Sequence, residues 1–310
     1  MASTLFGWIR RLMHSCMVVG LCVLCVDLGW AGDNDHRHSR QTCLLVDTDV
    51  ATDDYRAFAV LFPNRDLRAV VVTEGISRVA QGSTAIALFL ASGQSLAPVI
   101  PGLSAATPPV YDWLPAAREA AERMNNFLKA SVPFAASADK LKLSLLDAVK
   151  GCQRLEVLVL GPWTSFVEYG PMLRPFVRRV VASGRPLDET NPDNFNCEYD
   201  KAACAKASDL LKKFHHVVWV DLPAGTMSYP PTVEMVAQLG DAGLPGLLRS
   251  VLNADPSQWL GTTRLWDDTA ALYLLAPEQF KAVGLHFEPA IDEATLQDEL
   301  VKASNTTPDD

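Results

Sequence analysis

From residue 42 onward, short apolar runs alternate with longer segments whose apolar residues recur at helical spacing. That alternation predicts strands and helices taking turns around a mainly parallel sheet. Strands are expected at 43–46, 67–72, 155–160, 177–181 and 216–220, whose near-continuous Val and Leu suit strands covered on both faces. Helices are expected at 54–62, 80–91, 141–149 and 202–214, the first stopped by Pro63-Asn64, and a helical run at 270–275 is closed by Pro277. Neither an internal repeat nor a low-complexity linker marks a boundary. Residues 32–310 therefore read as one α/β domain, an open, mainly parallel sheet flanked by helices, with a polar tail expected to fray from about Ser304.

The first 31 residues follow another pattern. Arg10 and Arg11 precede an apolar stretch over 12–30, and Gly29-Trp30-Ala31 places small residues where a signal peptidase cuts. A signal peptide with the mature start near Gly32 is expected, and hence a secreted or extracytoplasmic protein without stable membrane association. An uncleaved anchor is the alternative, although Asp27 and His14 interrupt the stretch. Cys16, Cys22 and Cys25 leave with this segment, so Cys43, Cys152, Cys197 and Cys204 face an oxidising compartment. Four cysteines allow three pairings, and spacing does not choose among them; buried free thiols are the other reading. A zinc site is disfavoured, because no Cys-x-x-Cys pair survives and no His stands near. Asn305-Thr306-Thr307 is a glycosylation acceptor if the route is a eukaryotic secretory one.

With 49% hydrophobic residues the chain can bury a substantial core, and its net charge of −9, without a Lys/Arg cluster, opposes binding to a phosphate backbone. A nucleic acid polymer is excluded as a partner. A homo-oligomer stays open, since helical surfaces such as 231–239 can serve as interface or exterior.

The chemistry sits where the first strand ends. Leu44-Leu45-Val46 runs directly into Asp47-Thr48-Asp49-Val50-Ala51-Thr52-Asp53-Asp54, four aspartates with no basic residue among them. Asp47 and Asp49, two apart at a strand end, can point the same way, while Asp53 and Asp54 fall at the mouth of the next helix. Carboxylates so crowded repel one another and take up protons unless a cation neutralises them. Oxygen donors with no nearby His or Cys favour a hard cation, Ca²⁺ or Mg²⁺. The bland reading is helix capping by Thr52 or Asp53 and a turn at Asp49. Taken alone, Trp266-Asp267-Asp268-Thr269 is likewise a helix start, and Leu160-Gly161-Pro162 a tight turn after a buried strand.

In this order the segments resemble the inosine-uridine type nucleoside hydrolase family, from Cys43 to about Pro277. Asp47-x-Asp49-x-x-x-Asp53-Asp54 is similar to the family's N-terminal fingerprint. Leu158-Val159-Leu160-Gly161-Pro162-Trp163-Thr164 is similar to its central strand and turn, and Asn194-Phe195-Asn196 with Asp200 to its ribose-binding stretch. The resemblance implies a nucleoside hydrolase fold, Rossmann-like, and calcium-dependent cleavage of the N-glycosidic bond of ribonucleosides. It implies that Asp49, Asp54, the Leu160 carbonyl and Asp267 hold Ca²⁺, that Asp49 takes a proton from the attacking water, and that Asp47 supports the ligands from behind. It also implies that Asp53 and Asn196 hold ribose hydroxyls, with Asn194 beside them. Three positions depart from the family or divide it. Val50-Ala51 replaces the usual Pro-Gly, so the turn should differ; Asn194 stands where Glu is common. Trp266 stands where the pyrimidine-tolerant branch has His, which implies a preference for purines, stacked on Trp266 with Tyr111, Trp113 or Trp259 and protonated by solvent. Of the mature histidines, His36 and His38 lie in a start expected to be flexible, while His215, His216 and His286 read as structural, as does Trp266 if it packs in the core.

Two rival functions remain open. A haloacid-dehalogenase-like phosphatase would use Asp47-x-Asp49 and Asp267-Asp268 but has Ala51 at the Thr or Val position and no role for Asp53-Asp54. A catalytically silent nucleoside or ribose binder would fit Asn194 and the altered turn, yet has no need of Asp49.

Overall fold

The computed structural model describes residues 42–127, 137–187, 194–223 and 229–306. The signal-peptide reading of 1–31, its cleavage near Ala31, His36, His38 and Thr307 fall outside these residues. No described helix is long and apolar enough to cross a membrane.

Five strands form where apolar runs predict them: β1 (Thr42–Thr48), β2 (Asp66–Val72), β4 (Arg154–Val159), β5 (Val177–Ser183) and β6 (Val217–Val220). Three shorter strands escape the pattern, β3 (Val99–Pro101), β7 (Phe280–Val283) and β8 (His286–Pro289). Together they make an eight-stranded sheet in the order β3-β2-β1-β4-β5-β6-β8-β7. Every pairing is parallel except β7 with β8.

The expected helices appear as α1 (Thr52–Leu61), α2 (Val79–Ser92), α4 (Ala138–Ala148), α7 (Lys201–Leu211) and α10 (Trp266–Leu275). Unforeseen are α3 (Leu114–Phe127), α5 (Phe166–Leu173), α6 (Phe195–Glu198), α9 (Gly243–Ala254) and α11 (Glu293–Ser304), while α8 (Val233–Ala237) falls within the helical surface expected at 231–239. Residues 304–306 are better held than their polarity suggests, because Asn305 accepts from Gly240 N at 2.8 Å and donates to the Gln238 carbonyl at 3.0 Å.

Alternation along β1 divides the core. Leu44 and Val46 pack with α1, α2, α9, α10 and α11, whereas Cys43 and Leu45 pack with α4, α5 and α7. Both faces of the sheet are thereby covered, as the apolar runs require. Two disulfides settle the cysteines, Cys43–Cys152 and Cys197–Cys204. The first joins the start of β1 to the turn before its neighbour β4.

The strand order places the site. From β1 the chain steps outward to β2 and β3, then returns to β4 on β1's other side and continues to β5 and β6. Connections leaving adjacent strands in opposite directions open a crevice at the carboxyl ends of β1 and β4. Asp47-Thr48-Asp49 and Leu160-Gly161 stand at that crevice.

Candidate active site

Asp47, still within β1, is fully buried and accepts from Thr73 Oγ1 at 2.5 Å and Tyr169 OH at 3.0 Å. Two donors fix its carboxylate below the crevice floor. Leu160 N donates to the Asp47 carbonyl at 2.7 Å, which orients the next peptide, whose carbonyl oxygen receives Asn196 Nδ2 at 2.7 Å.

Asp49 is buried at the strand exit, where its Oδ2 accepts from Ile76 N at 2.8 Å and its carbonyl from Ser77 N at 3.0 Å. Two glycines make room for it. A Cβ on Gly75 would stand 2.1 Å from Asp49 Oδ2, and one on Gly161 would stand 2.8 Å from Asp49 N. The next residue carries the departure from Pro-Gly: Val50 has φ +54°, a left-handed conformation that disfavours a non-glycine residue by about 1–2 kcal/mol. Its side chain is fully buried, Val50 N donates to Thr48 Oγ1 at 3.0 Å, and its carbonyl accepts from Ser77 Oγ at 2.7 Å. Packing and both bonds hold the turn.

The turn delivers Asp53 and Asp54 to the first turn of α1. The N-cap position belongs to Ala51 and not to Thr52 or Asp53, and it is Asp54 that reaches back, its Oδ2 accepting from Ala51 N at 2.7 Å and its other oxygen from the Thr48 hydroxyl. Across the crevice Asp267 lies in the first turn of α10 and takes a hydrogen bond from Ser183 at the end of β5. Donor oxygens of Asp53, Asp54 and Asp267 all lie within 4.8 Å of one another. The carboxyls of Asp49 and Asp54 are within hydrogen-bonding reach. The aspartates separated in sequence thus form one buried cluster.

What brings α10 there is a buried ion pair. Arg56 grips Asp268 with two bonds, 2.7 and 2.9 Å, and donates to the Arg264 carbonyl at 2.9 Å. Its charge is committed to Asp268, which the phosphatase reading would use for chemistry.

Burial, the largest cause, raises every carboxyl of the cluster. Asp47 rises to about 7 despite the lowering bonds from Thr73 and Tyr169. Asp49 and Asp53 also rise to about 7, with the Asp53 charge adding to the first and the Asp54 charge to the second. Asp54 and Asp267 are pushed well above the usual carboxylate range, by desolvation and then by their acidic neighbours. An all-oxygen donor set whose members resist ionisation when crowded together suits a hard divalent cation.

Asn196 is half-buried, and Asn194 Oδ1 caps α6 by accepting from Cys197 N at 3.2 Å. Trp266 is 38% exposed, which rules out the core-packing reading, and Arg264 lies over its ring at 5.8 Å. Trp259 must be withdrawn as a stacking surface: it is 1% exposed and its Nε1 donates to the Leu252 carbonyl. Tyr111 and Trp113 stack on each other, with centroids 5.3 Å apart, and Trp113 reaches Phe195 of α6 at 5.5 Å. Sequence reading missed Thr73, Tyr169, Ser183 and Arg56. Of these only Arg56, two residues past Asp54, stands near enough in the chain to have been noticed.

No family model and no curated protein matches the chain. Solved structures do. An inosine-guanosine nucleoside hydrolase aligns with TM-score 0.67 at 14% identity, over 85% of this chain and 98% of that one. The purine-preferring ribonucleoside hydrolase from Gardnerella vaginalis aligns with TM-score 0.59 at 16% identity, over 85% and 98%. A type III effector protein complexed with adenosine diphosphate ribose aligns with TM-score 0.54 at 14% identity, over 86% and 93%. At such identities the likeness establishes the fold: this chain has the α/β fold of the nucleoside hydrolases.

Proposed function

We propose that the chain hydrolyses the N-glycosidic bond of ribonucleosides, releasing free base and ribose, with purines preferred and Ca²⁺ as cofactor. One observation carries this reading: Asp267, from α10, meets Asp53 and Asp54, from α1, in a single buried cluster of carboxylates. Asp49, Asp54, the Leu160 carbonyl and Asp267 would hold the cation, and Asp47 would steady them from behind. When bound, the cation lowers the pKa of a water and fixes its place.

Asp49 would take the proton of the water that attacks C1′. As the C1′–N bond breaks, its electron pair leaves with the base, which gains a proton from solvent. The positive charge developing on the sugar ring lies among carboxylates that favour it. Asp53 and Asn196 would hold ribose hydroxyls. Asn194 would offer the sugar its amide N–H groups and the second lone pair of its oxygen, since the first accepts from Cys197 N at the cap of α6.

Trp266 supports the purine preference, with its half-exposed ring offering a face opposite Arg264. Trp266→Ala should raise KM for inosine by roughly tenfold, matching the 1–3 kcal/mol of a base stacked on an aromatic ring, and steady-state kinetics will show it. The Cys197–Cys204 bridge supports the sugar side, because α6 has only four residues and the bridge ties it to α7. The double variant Cys197→Ser, Cys204→Ser should raise KM about fivefold with kcat little changed, since about 1 kcal/mol of ordering is then left to the substrate. Two disulfides, together with the apolar leader, support an extracytoplasmic location.

The deciding experiment is a panel of inosine, guanosine, adenosine and uridine with added Ca²⁺. Free base should appear, fastest from purines, and chelation should stop it. Phosphate release from esters without base release would establish the phosphatase instead. Binding without turnover would establish a silent binder, a reading with some support from the effector that shares the fold and was solved with adenosine diphosphate ribose.

A further inference from the structure

We infer that Asn196 couples occupancy of the cation site to occupancy of the sugar site, so that each ligand strengthens the other. The inference rests on the proposed function and adds to it a coupling between the two sites and the residue that sets it. Its basis is the 2.7 Å bond from Asn196 Nδ2 to the Leu160 carbonyl, the one main-chain oxygen among the proposed ligands.

The peptide bearing that oxygen has little freedom. Leu160 N is fixed to the Asp47 carbonyl at 2.7 Å, and Gly161 lies against the Asp49 backbone too closely to admit a Cβ. The carbonyl thus keeps its direction, and Asn196 takes one of its two lone pairs. Asn196 itself is held at a defined place. Its helix is capped by Asn194, bonded to α7 through Cys197–Cys204, and continued by Tyr199, whose hydroxyl joins Glu74 at 2.9 Å.

Electron density then decides the sign. A carbonyl oxygen polarised by a dication is a poorer acceptor for an amide N–H, and one relieved of that N–H is a better ligand. Cation binding therefore loosens the Asn196 amide and makes its donor available to a sugar hydroxyl. A sugar that takes the donor in turn frees the carbonyl for the cation. Linkage requires the two effects to be equal in size.

Calorimetric titration of the folded chain with Ca²⁺, with and without D-ribose, reads this coupling without any turnover. Ribose should tighten Ca²⁺ binding by about tenfold in the wild type, within the usual range for coupled sites. Asn196→Ala and the similarly sized Asn196→Leu, neither able to donate, should reduce that factor at least threefold. Without ribose, both should bind Ca²⁺ more tightly than the wild type, because nothing competes for the carbonyl. A residue that merely scaffolds the loop would give weaker Ca²⁺ binding when removed, and that result overturns the inference. So does a coupling factor that falls less than threefold. Absence of any Ca²⁺ binding by the wild type would remove both the inference and the proposed cofactor, whereas Ca²⁺ binding with unchanged coupling would leave the proposed function standing.

Discussion

Asp49→Asn should slow base release from inosine by at least about a thousandfold while raising the melting temperature of the chelated chain. The two effects have separate causes. As the proposed general base, Asp49 accounts for roughly 10²–10⁴ in rate, and losing a charged cation ligand adds to that. Stability moves the other way because the carboxyl is buried, is raised to about 7 by desolvation, and adds repulsion to Asp53 and Asp54. An asparagine fits the same space beside Gly75 and can still accept from Ile76 N through its oxygen. It brings no charge. Single-turnover base release with saturating Ca²⁺, and thermal melts in chelator, measure the two effects independently. A variant that retains activity within tenfold would falsify the assignment of proton transfer to Asp49, and a lower melting temperature in chelator would show that the carboxylate is locally stabilising.

The N-terminal half of this site is legible in the sequence because it is local. An apolar strand running into Asp47-x-Asp49-x-x-x-Asp53-Asp54 states both its direction and its charge problem within about a dozen residues. Asp267 carries no such signal. Only the family resemblance attached it to the others, and the device that delivers it, Arg56 on Asp268, joins residues 212 apart. The same holds for Thr73 and Tyr169, which reach Asp47 from β2's exit and from α5. Nothing near either residue marks it as a support. Position on the sheet decides their roles.

Elements were legible in proportion to length and continuity. β1 and β2 stand out by the apolar runs they lay between two helical layers, whereas β3 has three residues, and β7 and β8, four each like β6, lack its unbroken apolar run because Lys281, His286 and Glu288 interrupt them. Breakers hid two helices: α9 opens at Gly243 with Pro245 in its first turn, and α5 contains Pro171. Cys43 and Cys152 are 109 residues apart, and only the adjacency of β1 and β4 pairs them. At Val50 the departure from Pro-Gly was visible, but its consequence, a left-handed valine held by Thr48 and Ser77, belongs to the fold.

Removing the cation should reveal the same charge problem as a loss of stability that depends on pH. In the chelated chain Asp47, Asp49 and Asp53 have pKa values near 7, raised from 3.8 mainly by burial. Between those values the folded state holds more protons than the unfolded state, so stability falls as pH rises across that window, and Asp54 and Asp267, raised in the same direction, add to the fall. A cation needs the deprotonated carboxylates, so its affinity rises over the same window as protons cease to compete. At a free concentration a thousandfold above its Kd, a ligand specific to the folded state contributes about 4 kcal/mol. For a chain of this size that corresponds to roughly 10 °C in Tm. The difference between melts in Ca²⁺ and in chelator should therefore be close to zero at pH 5 and about 10 °C at pH 8. Taking the difference cancels titrating groups elsewhere, such as Asp221, whose carboxyl is also raised by burial. A gap that is the same at both pH values would mean that the cation does not bind where the protons do, and a missing gap at pH 8 would mean that the aspartates tolerate their crowding without it.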